Sequence, residues 1–136
     1  MHFEDVDFAR TPFYGRYFTW VDRAWERVLN AHEIFFSDMV GRQKIGLPIV
    51  EAVCRYRRPL ALDDVFAVEL RVSELTRKRV TTEFRFRKLA DGQLTAEGHV
   101  GRHFVDMDAF KGREVPDGLY ERFRRLALAL SDWPPA

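Results

Sequence analysis

The chain has 136 residues, 46% of them hydrophobic and 14% aromatic, with 12 phenylalanines, so it is long and apolar enough to fold around one core as a single domain. Its 22 basic and 21 acidic residues nearly cancel to a net charge of +1, which argues against a large sequence-independent nucleic-acid footprint. The lone cysteine, Cys54, excludes a disulfide framework and a cysteine metal cluster, and no apolar run approaches membrane-spanning length, so a cytoplasmic protein is expected.

The first marked feature is a carboxylate, Asp7, a few residues ahead of Thr11-Pro12. Thr11 suits a helix N-cap and Pro12 the first helical position, which predicts a long helix over Pro12 to about Ala31. The next amides, at Phe13 and Tyr14, would then point out of the helix end with the positive pole of its dipole behind them. Two uses fit such an acid. It is a turn or capping residue, or it is the attacking group beside a ready oxyanion site, a minimal apparatus for attack on a carbonyl. Phe18, Val21, Trp25, Val28 and Leu29 recur at helical spacing and mark the buried face, with Arg16, Arg23, Glu26, Arg27 and Asn30 largely elsewhere.

Residues 33–40 read as a short helical turn and 41–44 as a polar loop. From Leu47 the period drops to two. Leu47 to Tyr56 predicts a strand ended by Arg57-Arg58-Pro59. Alternation at Phe66, Val68, Leu70 and Val72, and again at Val80, Thr82, Phe84 and Phe86, predicts two antiparallel strands, each with one wet face. Asp91-Gly92 predicts a hairpin turn into a further strand from Leu94 to about Val105. Leu119 to Leu130, with Leu119, Phe123, Leu126 and Leu130 in register, predicts a C-terminal helix. One long helix followed by consecutive strands defines an α+β fold, an antiparallel sheet curled around a central helix.

These motifs, in this order, resemble the hotdog-fold acyl-CoA thioesterases of the 4-hydroxybenzoyl-CoA thioesterase type. The resemblance rests on Asp5-Val6-Asp7-Phe8-Ala9, on Phe13-Tyr14 with Tyr17, on Leu47-Pro48-Ile49-Val50, on Asp63-Asp64-Val65 and on Arg77-Lys78, and it runs from Phe3 to about Val105. It implies hydrolysis of an acyl-CoA without metal or redox cofactor. Asp7 matches the catalytic carboxylate, and the Tyr14 amide the backbone donor that polarises the thioester carbonyl. Asp22 matches an acid that meets the ring hydroxyl in the hydroxybenzoyl enzymes, and Arg77 and Lys78 match residues that meet the CoA phosphates. It also implies a homo-oligomer, a dimer or homotetramer with shared active sites, and no nucleic-acid or membrane partner.

The chain departs from the family pattern at Arg10-Thr11-Pro12, where a small or imidazole-bearing tripeptide is usual, at Thr76 and Arg79 around the basic pair, and in a first strand with only two residues before Phe3. Taken from the residues alone, Asp22 fits equally a surface pair with a neighbouring arginine or the border of an acyl pocket. Arg55, Arg57, Arg58, Arg77, Lys78 and Arg79 fit either solvated surface or phosphate contacts. Asp63 and Asp64 suit a turn and Cys54 a core position, and His99 and His103, expected to have no carboxylate partner nearby, make a poor metal site and read as structural histidines. Rival readings are a carrier-protein thioesterase, a non-catalytic acyl-CoA binding hotdog protein and, third, a dehydratase, which the absence of His from the Asp7 motif disfavours.

Overall fold

The computed structural model describes residues 12 and 14–134. Helix α1 (Arg16–Ala31) is followed by a π-helical turn (Ser37–Arg42) and strands β1 (Ile45–Gly46), β2 (Ile49–Tyr56), β3 (Phe66–Leu75), β4 (Arg79–Lys88), β5 (Leu94–His103), β6 (Val105–Asp106) and β7 (Lys111–Gly112). Helix α2 (Asp117–Ala129) comes last. Four strands form an antiparallel sheet in the order β2-β5-β4-β3, and the three short strands pair as β1-β6-β7. The chain therefore crosses from one edge of the main sheet to the other between β2 and β3, then returns as a meander. This is the hotdog arrangement that the sequence resemblance implies.

Pairing puts Ala96, Gly98, Val100 and Arg102 of β5 in register with Phe86, Phe84, Thr82 and Val80 of β4. That inner face meets α1. Tyr17, Trp20, Val21, Trp25 and Leu29 are the buried residues of the helix. Tyr17 packs on Phe86 with ring centroids 5.0 Å apart, and Trp20 on Phe66 at 4.8 Å. Phe18 and Val28, expected on the buried face, only flank the core, while Tyr17 and Trp20 enter it. Each large side chain buried this way contributes roughly 1.5–3 kcal/mol, and aromatic pairing adds to it. Phe104 and Phe123 extend the core under α2, with centroids 5.1 Å apart.

Two boundaries differ from expectation. The central helix begins at Arg16, not Pro12, with Gly15 as its N-cap and no side-chain cap. Pro12 is buried in a β-bridge position, and Tyr14 and Gly15 form the turn that enters the helix. A proline lacking its N–H is as serviceable at the end of an extended segment as at a helix start. The last strand also stops early. Phe104 breaks β5, its amide bonding to the Lys78 carbonyl at 2.9 Å, and its buried ring turns to Phe123, leaving β6 to pair with β1 and β7. The aspartates before β3 shape a turn as expected: Asp64 accepts the Ala61 amide at 2.7 Å, and Asp63 has φ of 77°.

Candidate active site

Tyr14 stands just ahead of the first turn of α1 and is 66% exposed. Its carbonyl accepts a hydrogen bond from the Tyr56 hydroxyl at 2.7 Å. The Tyr56 ring meets Tyr17 edge-on, with centroids 4.9 Å apart. The end of β2 is thus tied to the start of the central helix. A crevice of about 280 Å³ opens there, lined by Pro12, Tyr14, Tyr17, Tyr56, Arg57 and Arg58 among others. Asp7, the expected catalytic carboxylate, lies outside the described residues, as does Phe13. The helix start brings partial positive charge to this crevice, and Arg57 and Arg58 add full charges.

The other candidate nucleophiles here stay protonated at neutral pH. Burial pushes the Cys54 thiol above its usual range despite a hydrogen bond with Tyr56. Burial, then the nearby Cys54 thiolate charge, raises Tyr17 to about 12, and Tyr56 shifts upward for the same reasons. Neither the thiol nor the phenols can supply an anion for attack on a carbonyl, and Cys54 packs at the core margin as expected.

Farther along α1, Asp22 accepts a hydrogen bond from Arg102 Nη2 at 2.9 Å. The partner comes from β5 across the fold, not from the helix surface. Arg102 is 4% exposed and its guanidinium lies 5.3 Å from the centre of the Trp25 ring. Burial lowers the Arg102 pKa and the Asp22 carboxylate opposes that, but a guanidinium still carries its charge. The two residues border a cavity of about 510 Å³, walled by Trp25, Phe36, Leu47 and Ile49. Phe36 reaches it from the residue before the π-helical turn, which Asp38 holds by accepting from Arg42 and from Gln43.

Arg77 and Lys78 sit apart from these crevices, at the tip joining β3 to β4. Arg77 is paired with Asp117 at 2.5 Å and lies over the Tyr120 ring at 4.3 Å, both on α2. Thr76 caps the turn by accepting the Lys78 and Arg79 amides at 3.2 and 3.1 Å, and Arg79 pairs with Glu74. Tyr14 and Asp22 are therefore brought to one helix, while the basic pair is directed towards α2. His99 does have a carboxylate beside it, contrary to expectation: Glu51, from the paired strand β2.

Sequence reasoning did not single out Tyr56, Trp25 and Arg102, which line these two cavities. For Arg102 a signal existed. It falls at the inward register of Ala96, Gly98 and Val100, where a charged residue requires a buried partner.

The thioesterase-like superfamily matches residues 1–123, and the chain belongs to it. Among curated relatives, a 1,4-dihydroxy-2-naphthoyl-CoA hydrolase of Prochlorococcus marinus is 25% identical over 126 residues, 88% of this chain and 82% of that protein. A solved gentisyl-coenzyme A thioesterase is 30% identical with a TM-score of 0.78, covering 93% of this chain and 94% of that one. A Synechocystis 1,4-dihydroxy-2-naphthoyl-CoA thioesterase is 16% identical, with a TM-score of 0.85 over 97% of this chain and 93% of that one, a likeness of fold. The protein is thus a thioester hydrolase with the hotdog fold. Among the described residues no helix is long and apolar enough to cross a membrane.

Proposed function

We propose that this acyl-CoA thioesterase acts on an aromatic acyl group bearing an oxygen substituent, with Asp7 as nucleophile or general base and the Tyr14 amide as oxyanion donor. The observation that supports the aromatic reading is the cavity beside α1, where the rings of Trp25 and Phe36 and the aliphatic chains of Leu47 and Ile49 face the Asp22–Arg102 pair, with Thr19, Arg23 and Glu26 also on its lining. A flat acyl group fits such walls, and one fixed polar contact orients it. The names of the gentisyl-CoA and dihydroxynaphthoyl-CoA relatives agree with that chemistry.

In the reaction, the carboxylate adds to the thioester carbonyl, or takes a proton from the water that does. Negative charge grows on the carbonyl oxygen, where the helix-start amide and dipole oppose it. The C–S bond then breaks and the CoA thiolate leaves and takes up a proton. By the direct route, water cleaves the resulting anhydride and restores Asp7. Asp22 serves the far end of the acyl group. Arg77 and Lys78 serve the CoA phosphates, and with Arg77 held by Asp117 this contact involves exchange of one anion for another.

The assembly is proposed to be a dimer or tetramer built on β2. Among the described residues β2 pairs on one side only, with β5, and presents Ile49, Val50 and Tyr56 exposed along its length. An uncovered apolar edge strand is a template for antiparallel pairing with a second copy. Both crevices open beside this strand, at its two ends, so a paired copy would wall them.

The test is thiol release from a panel of aryl-, phenylacyl- and straight-chain CoA thioesters. The fastest turnover is expected on hydroxylated aryl thioesters. Preference for straight chains would overturn the aromatic assignment.

A further inference from the structure

Two residues that line the cavity beside α1 carry buried hydrogen-bond donors with no acceptor among the described residues. Arg102 Nη1 and Trp25 Nε1 are buried without an acceptor, and both residues line this one cavity. They are 4% and 2% exposed. Buried donors of this kind are rare, and one on a charged group is especially costly to leave unmet. The Asp22 contact uses Nη2 alone, so half of the guanidinium fork is uncommitted. Its orientation is nonetheless fixed, by Asp22 at one nitrogen and by the Trp25 ring beneath.

We infer that Arg102, assisted by Trp25 Nε1, is the specificity-determining residue of the acyl cavity, donating hydrogen bonds to an oxygen acceptor on the acyl group remote from the thioester. This rests on the thioesterase reading above. The acceptor is a hydroxyl or a carboxylate oxygen. A hydroxyl is read in two directions, accepting from Arg102 while donating to the second oxygen of Asp22. A carboxylate is read by the fork alone and is opposed by the Asp22 charge. Asp22 is then chiefly a positioning residue, holding the fork so that its other nitrogen meets the substrate. A benzoyl group without the oxygen would leave both donors dry and unmet, which a site of this kind rejects strongly.

The experiment compares kcat/KM for benzoyl-CoA, 4-hydroxybenzoyl-CoA and 4-carboxybenzoyl-CoA with the full chain. The wild type is expected to favour at least one oxygen-bearing thioester over benzoyl-CoA by about tenfold or more, and the ranking of the two identifies the acceptor. Arg102→Met, which replaces the guanidinium by a chain of similar volume, is expected to bring that ratio to within about threefold of unity, with Trp25→Phe reducing it less. Arg102→Lys keeps the charge but loses the fork, and should lower the ratio where the Met variant does not fold. A wild type that treats the three substrates alike, or an Arg102 variant that keeps the wild-type ratio, would overturn the inference. Failure of the wild type to release thiol from any of the three or from straight-chain CoA thioesters would instead remove the thioesterase reading.

Discussion

A single hydroxyl joins strand and helix at the crevice: Tyr56 donating to the Tyr14 carbonyl. Tyr56→Phe deletes that bond together with the hydroxyl's hydrogen bond with Cys54. Stability is expected to drop by about 1 kcal/mol in denaturant unfolding. The Tyr14 carbonyl lies in the peptide that follows the Tyr14 amide, so loosening the helix start is expected to lower kcat by about tenfold with KM little changed; unchanged kcat would show that the Tyr56 bond does not position the Tyr14 amide. Tyr17 gives a pH signature. Its phenol, at 10.0 before folding, is raised to about 12 in the fold by burial and then by Cys54. The folded state therefore holds the proton more tightly, so its contribution is complete below pH 10 and lost as pH rises towards 12. Melting temperatures over that interval should fall less steeply for Tyr17→Phe than for the wild type. Asp22 shows how far residues could be read from sequence. Its carboxylate is exposed and paired with an arginine, but that arginine is buried and arrives from a strand 80 residues away, not from a neighbouring position as the surface reading had it, and Asp22 also borders a cavity. Local spacing cannot display such a pairing, although an arginine in an inward register hinted at it.

Elements were legible where their pattern was long. Strands β3 and β4 lie where alternation placed them, and the Asp91-Gly92 turn joins β4 to β5 with Gly92 at φ of 69°. The β1-β6-β7 sheet was invisible, since strands of two residues have no period, and the helix start was misplaced because a proline fits a β-bridge position as readily as a helix N-terminus. Packing at the β2–β5 pair supplies a sharper test. A Cβ on Gly98 would sit 1.8 Å from the Val53 carbonyl oxygen and 2.8 Å from Phe84 Cζ. Gly98→Ala must push β2 off β5 or displace the core ring, and is expected to cost more than about 2 kcal/mol in equilibrium unfolding. A neutral substitution would mean that the two strands are farther apart than described.

At the scale of the whole molecule, the curled sheet with its central helix followed directly from one helical period and four runs of period two. The crossover from β2 to β3 did not, because it passes through a segment with turn chemistry but no periodicity. It leaves β2 at the sheet's edge, beside both crevices. Val50→Lys on that edge is expected to yield monomers in light scattering and to reduce turnover at least about tenfold, since a charge on an edge strand blocks pairing; monomers with full activity would show each crevice to be complete within one chain. The central claim is that a carboxylate at position 7 attacks a thioester whose oxygen is held at the start of α1. Its most direct measurement is thiol release from 4-hydroxybenzoyl-CoA by the wild type and by Asp7→Asn, with binding of the thioester followed in parallel. Turnover in the variant should fall by about a thousandfold or more while affinity stays within severalfold, whereas a variant that still turns over at close to the wild-type rate would contradict the assignment of Asp7.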